Sequence, residues 1–164
     1  MPKAISIEIV AIYISPDHDF KGRHGMERYH NPIHAIKNVS CVKDKGLVGD
    51  RYFDFRENYK GQITFFSWEI YEGMRNKFDK SDLSSKVLRR NIILKGVDLN
   101  NLIGKEFTIQ NVTFSGSEEC APCYWMNEAI TPGAEIFLKN KGGLRARILN
   151  NGVLTRGKTI LTVK

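Results

Sequence analysis

Between residues 4 and 14 the chain alternates Ile5, Ile7 and Ile9 with Ser6, Glu8 and Val10, the pattern of a half-buried strand. Six further runs rich in β-branched or aromatic residues read as strands, at 35–42, 62–66, 90–94, 107–114, 144–149 and 159–163. Gly96, Gly104, Gly116, Gly152 and Gly157 punctuate them at turn-like intervals. Helical periods are few: 67–78, 123–130 and 134–140. The first opens with Ser67 followed by Glu69 and Glu72, charges that suit a helix N-terminus. Many short strands with scattered helices predict a mainly β fold, a barrel with helical insertions, rather than a parallel sheet.

Residues 15–34 break the pattern. They are polar, show no period, and carry all four histidines (His18, His24, His30 and His34) with Asp17, Asp19 and Pro32. They read as a long loop, of a length that in compact domains is often functional. With no repeat or linker, the 164 residues are expected to form one domain spanning 1–164. No apolar run nears the roughly 20 residues needed to cross a bilayer, and no membrane role is expected. Three cysteines, an odd number, point to a reducing compartment, so the expected location is cytoplasmic. The net charge of +7 favours anionic partners. Its 25 Lys and Arg are thinly spread, however, with no basic run interleaved with aromatics, so nucleic acid is not the expected partner. A solvated basic surface, or a pocket for a phosphate group, fits better.

The chemistry concentrates at Cys120-Ala121-Pro122-Cys123, between a strand-like and a helix-like run. A thiol at a helix start is stabilised as the thiolate, the reactive and ligating form. A thioredoxin-type dithiol is disfavoured: Glu119 precedes the motif and βα alternation is missing. A structural zinc site wants four Cys or His ligands. The third thiol is Cys41, and Pro32 spoils a continuous helix between His30 and His34. The remaining option is a single cofactor-ligating or sulfur-carrying thiol.

The rest of the chain bears on that option. Lys45-Gly46-Leu47-Val48-Gly49-Asp50-Arg51-Tyr52 is followed by Gly61-Gln62-Ile63-Thr64-Phe65-Phe66 and Glu69. Then come Leu88-Arg89-Arg90-Asn91, the run from Gly96 to Phe107, Cys-Ala-Pro-Cys-Tyr124-Trp125-Met126-Asn127, and Gly142-Gly143-Leu144-Arg145-Ala146-Arg147. In this order and spacing the chain resembles a MOSC domain, named for the C-terminal domain of molybdenum cofactor sulfurases. The match runs from about Ile5 to Val163.

The resemblance implies a MOSC-type β-barrel and maps the family's single Pro-Cys cysteine onto Cys123. It implies a molybdenum cofactor (molybdopterin) with Cys123 as metal-ligating thiolate and catalytic residue, in the reduction of N-hydroxylated compounds by a molybdenum-dependent oxidoreductase. A soft thiolate suits such a metal. The alternative is a sulfur-carrier or cofactor-delivery module using a Cys123 persulfide, and a dithiol or zinc-binding interaction domain stands third. The chain holds no pyridoxal phosphate domain, so electrons or sulfur would come from a separate reductase or cysteine desulfurase, acting beside a small-molecule substrate.

The residues themselves suggest further cofactor contacts. Gly46 and Gly49 permit a turn that sets Asp50 and Arg51 at a barrel mouth; a plain hairpin turn is the competing reading. Arg89 and Asn91, two apart, would share a strand face, with Arg89 on a pterin phosphate or paired with Glu69. Arg145 and Arg147 share a face likewise, and guanidinium forks suit phosphate. Tyr124, Trp125 and Met126 fit core packing better than a pterin platform. Two features depart from the family pattern: Lys158 follows Gly157 where an Asp is usual, and the histidine loop is long. Cys120 reads either as a buried small residue or as a second thiol able to resolve a persulfide or disulfide on Cys123.

Overall fold

The computed structural model describes residues 2–16 and 32–164. His18, His24 and His30, with Asp17 and Asp19, lie outside them. Eleven strands occur among the described residues: β1 (Lys3–Ile14), β2 (His34–Ile36), β3 (Asn38–Val42), β4 (Gly46–Leu47), β5 (Ile63–Ser67), β6 (Ile92–Lys95), β7 (Glu106–Ile109), β8 (Val112–Glu119), β9 (Leu144–Ile148), β10 (Gly152–Thr155) and β11 (Gly157–Val163). Helices α1 (Trp68–Lys77), α2 (Trp125–Ala129) and α3 (Ala134–Phe137) and 3₁₀ turns at Ser85–Leu88 and Leu99–Leu102 complete it.

Seven strands close a barrel in the order β11-β7-β8-β9-β5-β6-β1, with β1 returning to β11. The long first strand makes this closure, because its two halves serve different neighbours. Lys3 to Ile9 pair with β11, and Glu8 to Ile12 pair with β6 across a bulge between Ile9 and Ala11. Closure leaves these strands no free edge. β3, flanked by β4 and β10, forms a small second sheet. Inside the barrel Phe65, Phe107 and Phe114 are fully buried, with ring centroids 5.4–5.7 Å apart. Each such ring contributes on the order of 1.5–3 kcal/mol by leaving water.

β5 and β6 form a parallel pair joined through α1, and both faces of the pair are buried. Ile63, Phe65, Ile92 and Leu94 face the barrel core, while Phe66 and Ile93 pack outward with Tyr71, Met74, Met126 and Leu138. Near-continuous apolar strands are what burial on both faces requires. Ser67 caps α1 as its sequence suggests, accepting a hydrogen bond from the Ile70 amide at 3.2 Å.

Several elements differ from the sequence reading. The run 107–114 is a hairpin and not one strand: Gln110 and Asn111 both take positive φ (51° and 70°), a turn that reverses the chain without a glycine to announce it. His34 leaves the predicted loop and joins β2 opposite Ile14, exposed to solvent. The helices at 123–130 and 134–140 shrink to α2 and α3. Arg89 and Asn91 precede β6 and are not strand neighbours, because Arg89 takes a left-handed conformation (φ 53°) that ends a 3₁₀ turn. Lys158 stands opposite Glu8 in the β1–β11 ladder. No helix among the described residues is long and apolar enough to cross a membrane.

Candidate functional site

Between β8 and α2 the chain runs as an irregular segment through Cys120 and Cys123. Two contacts press it onto the barrel. The Cys120 amide donates to the Gly143 carbonyl at 2.9 Å, and the Gly142 amide donates to Glu119 Oε2 at 3.2 Å. A Cβ on Gly142 would lie 2.1 Å from the Cys120 carbonyl oxygen, so only glycine admits this approach. Gly143 (φ 107°) is held by conformation as well as by space.

Arg90 completes the anchor. Its buried guanidinium donates to the carbonyls of Leu88 (2.9 Å), Gly142 (3.0 Å) and Cys120 (3.2 Å). One cation thus ties the end of the 3₁₀ turn, the approach to β9 and the thiol segment together, and bonds of this charged kind contribute about 1.5–3 kcal/mol each. Sequence reasoning passed over Arg90 in favour of its neighbours. The adjacent arginine pair before a buried strand was the available signal, since a guanidinium taken inside must meet acceptors.

Cys123 is half-buried and opens onto a cavity of about 210 Å³, which Arg51, Arg89, Arg90, Arg145, Tyr52, Tyr59, Thr64 and Cys120 also line. Four arginines and no carboxylate line it among the described residues. Such a wall concentrates positive potential and suits an anionic ligand. Burial pushes the Cys123 thiol above its ordinary range; the Trp125 amide, the Arg90 charge and the Met126 amide offset only part of this, and Glu135 adds to it. The expected lowering at the helix start is therefore present but outweighed. The thiol thus holds its proton more firmly than an ordinary cysteine.

The other predicted residues divide. Arg51 and Arg145 face the cavity. Arg51 also pairs with Asp50 (3.3 Å) and donates to the Arg89 carbonyl (3.3 Å). Arg145 pairs with Glu118 at 3.6 Å and lines the cavity together with Cys120. Burial works against the Arg145 charge, yet Cys120, Tyr59 and Glu118 together hold its pKa above the usual range. Arg89 donates to Ser15 Oγ at 2.6 Å, and Glu69 takes the Gly96 amide instead of an arginine.

Asp50 and Asn91 serve the fold and do not line the cavity. Asp50 is buried and accepts from the amides of Ser15 (2.9 Å) and Tyr52 (3.4 Å), which steadies the turn carrying Arg51. Asn91 accepts from the Thr64 amide and hydroxyl (2.9 and 3.0 Å) and donates to the Tyr13 carbonyl (3.1 Å), bracing β1 against β5. Its polar atoms are thus used inside the barrel wall and not at the cavity. Arg147 donates to the Asn58 carbonyl (3.4 and 3.3 Å) and fastens the loop that carries Tyr59. Trp125 and Met126 are buried, while Tyr124 is exposed. Cys41 sits in β3 within the barrel core and takes no part in the cavity. No group of three or more His, Cys, Asp or Glu side chains is placed to hold a metal among the described residues.

The tyrosines were not foreseen. Tyr52, Phe55 and Tyr59 cluster with centroids 4.9–5.4 Å apart, Tyr52 and Tyr59 stacked at 25°. Arg51 and Arg56 lie over these rings. Aromatics spaced along a polar turn-rich loop are a weak sequence signal, because nothing in the spacing says that the rings meet.

A seven-stranded barrel carrying one half-buried thiol in an arginine-lined cavity defines the class of protein. The family model described as MOSC domain matches residues 32–161. The chain belongs to the MOSC domain family. No curated protein matches the sequence. Among solved structures, the YuaD protein from Bacillus subtilis superposes with a TM-score of 0.78 at 16% identity, covering 100% of this chain and 99% of that one. YiiM from Geobacillus stearothermophilus gives 0.67 at 15% identity, covering 96% and 75%. YiiM from Escherichia coli gives 0.65 at 14%, covering 99% and 70%. At these identities the likeness is one of fold.

Proposed function

We propose that this MOSC protein binds a molybdopterin-type cofactor at the Cys123 cavity and reduces N-hydroxylated compounds with electrons from a separate reductase. The supporting observation is the meeting of one half-buried thiol with Arg51, Arg89 and Arg145 in a single cavity free of carboxylates among the described residues. The donor set fits the group. A thiolate is a soft ligand for the metal, and guanidinium groups suit the phosphate of the pterin. At about 210 Å³ the cavity lies below the roughly 300–1,000 Å³ of most small-molecule sites, so it takes the reactive end of the cofactor and not the whole molecule. When bound, the cofactor supplies two-electron chemistry. The chain holds Cys123 in place through Arg90 and Gly142, and it surrounds the site with positive charge.

The test is molybdenum per chain, by elemental analysis, after expression in a host that makes the cofactor. Near-stoichiometric metal in the wild type that disappears in Cys123→Ala is the expected result. No metal in either protein would overturn the reading. The second reading, a persulfide carrier, draws support from Cys120, whose residue lines the same cavity beside Arg145. A labile gain of one sulfur atom on Cys123, seen by intact mass spectrometry, would favour it.

A further inference from the structure

Reduction of an N–OH group takes two electrons and two protons: R–NHOH + 2 e⁻ + 2 H⁺ → R–NH₂ + H₂O. The N–O bond breaks, nitrogen keeps the incoming electron pair, and oxygen leaves as water. Unprotonated, it would have to leave as hydroxide, so a positioned acid lowers the barrier, typically by 10²–10⁴ in rate. The cavity offers few acids among its described lining residues. A guanidinium does not serve as an acid, because it is not deprotonated in proteins. The Thr64 hydroxyl donates to Asn91 Oδ1. Cys123 is assigned to the metal, and the Cys120 side chain is engaged by Arg145. Two phenols remain, Tyr59 and Tyr52.

We propose that Tyr59 is the proton donor of the reaction, its phenol protonating the departing hydroxyl oxygen as the N–O bond breaks, with Tyr52 returning the proton from solvent. The inference rests on the reductase reading above, and the second proton reaches nitrogen from solvent. The geometry singles out Tyr59 over its neighbour. Its ring lies against the bare backbone of Gly61, where an added Cβ would stand 3.3 Å from the ring. The other face stacks on Tyr52, Arg56 lies 5.4 Å from the ring centre, and the Arg147–Asn58 bonds fix the loop just before it. The Tyr52 ring stacks on Tyr59 with centroids 5.4 Å apart and lines the same cavity, which sets the second phenol beside the first for the return of the proton.

Among the described residues, the charged and titratable groups that act on Tyr59 or lie against its ring are Tyr52, Arg145, Cys120 and Arg56. Burial, with Tyr52 and Cys120, holds its phenol above the ordinary range, and Arg145 opposes this. The phenol therefore stays protonated at neutral pH. It gives its proton only to a base stronger than phenolate, and a departing hydroxide, conjugate to the far weaker acid water, is such a base.

Tyr59→Phe keeps the ring and removes the hydroxyl. With molybdenum-loaded protein, benzamidoxime as substrate and reduced methyl viologen as electron source, kcat should fall by about 100-fold or more. KM and molybdenum content should hold. Tyr52→Phe should cost less, about tenfold, because solvent can still reprotonate Tyr59. A readout without cofactor accompanies this: the wild-type minus Tyr59→Phe difference at 295 nm should show one phenol titrating above the ordinary value of about 10. If Tyr59→Phe keeps its metal and a kcat within about twofold of wild type, the donor role is overturned and the reductase reading stands. If Tyr59→Phe loses its molybdenum, Tyr59 is a binding residue and not the donor. If loaded wild-type protein reduces no N–OH compound, both fall together.

Discussion

Burial raises the thiols of both Cys41 and Cys123, but only Cys123 meets a cavity. The same desolvation thus leaves one thiol sealed in the core and the other at the wall of a cavity. Cys41 is pushed up to about 12, against a slight lowering by the Leu154 backbone. The unfolded chain gives up that proton near the ordinary thiol value of about 8.5. The Cys41 contribution to stability is therefore complete below about pH 8.5 and is lost as pH rises toward 12, at about 1.4 kcal/mol per pH unit within that window. Urea unfolding of wild type and Cys41→Ala between pH 8 and 10.5 should show a fall steeper in the wild type by this slope; parallel curves would sink the assignment. A sequence cannot reveal such a difference, since Cys41 and Cys123 are the same residue until packing gives them different surroundings.

The element that matters most is the irregular segment holding Cys120 and Cys123 between β8 and α2. It has no ladder of its own, and its position depends on Gly142, Gly143 and Arg90, which come from elsewhere in the chain. In Gly142→Ala the new Cβ would meet the Cys120 carbonyl at 2.1 Å and Pro122 Cδ at 2.9 Å, so the segment must move. The expected cost is about 2 kcal/mol or more in chemical denaturation, of the size seen for overpacking. Molybdenum should be lost while the far-UV spectrum of the barrel is kept. Retention of metal at wild-type level would show that the approach is not needed. The CxxC motif and the double glycine were both legible in the sequence as features. That one is stacked on the other was not, because the contact joins positions some twenty residues apart across two short helices.

For the molecule as a whole, the decisive contact is the β1–β11 ladder, which turns a curled sheet into a closed barrel. Leu161 pairs with Ile5 on one side and Ile109 on the other, and it is fully buried. Leu161→Ala should cost about 2–5 kcal/mol. Because closure makes the ring of strands one unit, unfolding should stay a single transition for tryptophan fluorescence and circular dichroism alike. Two separated transitions would mean that the seam opens by itself. No residue of the β1–β11 ladder lines the cavity, so molybdenum content at low temperature should be unchanged.

Alternation of apolar residues in β1 and the double-sided apolar runs of β5 and β6 were enough to settle strand-rich architecture, and the ordered motifs from Gly46 to Arg147 were enough to indicate the family. Those features are local or a matter of order along the chain, and they survive without knowing which residues touch. The hairpin at Gln110 and Asn111 escaped because its turn uses left-handed residues other than glycine. Which arginine anchors and which faces a ligand was decided only by tertiary structure. Arg89, Arg90, Arg145 and Arg147 carry the same group, and a guanidinium becomes a clamp or a binding residue according to the carbonyls and cavities that folding places beside it.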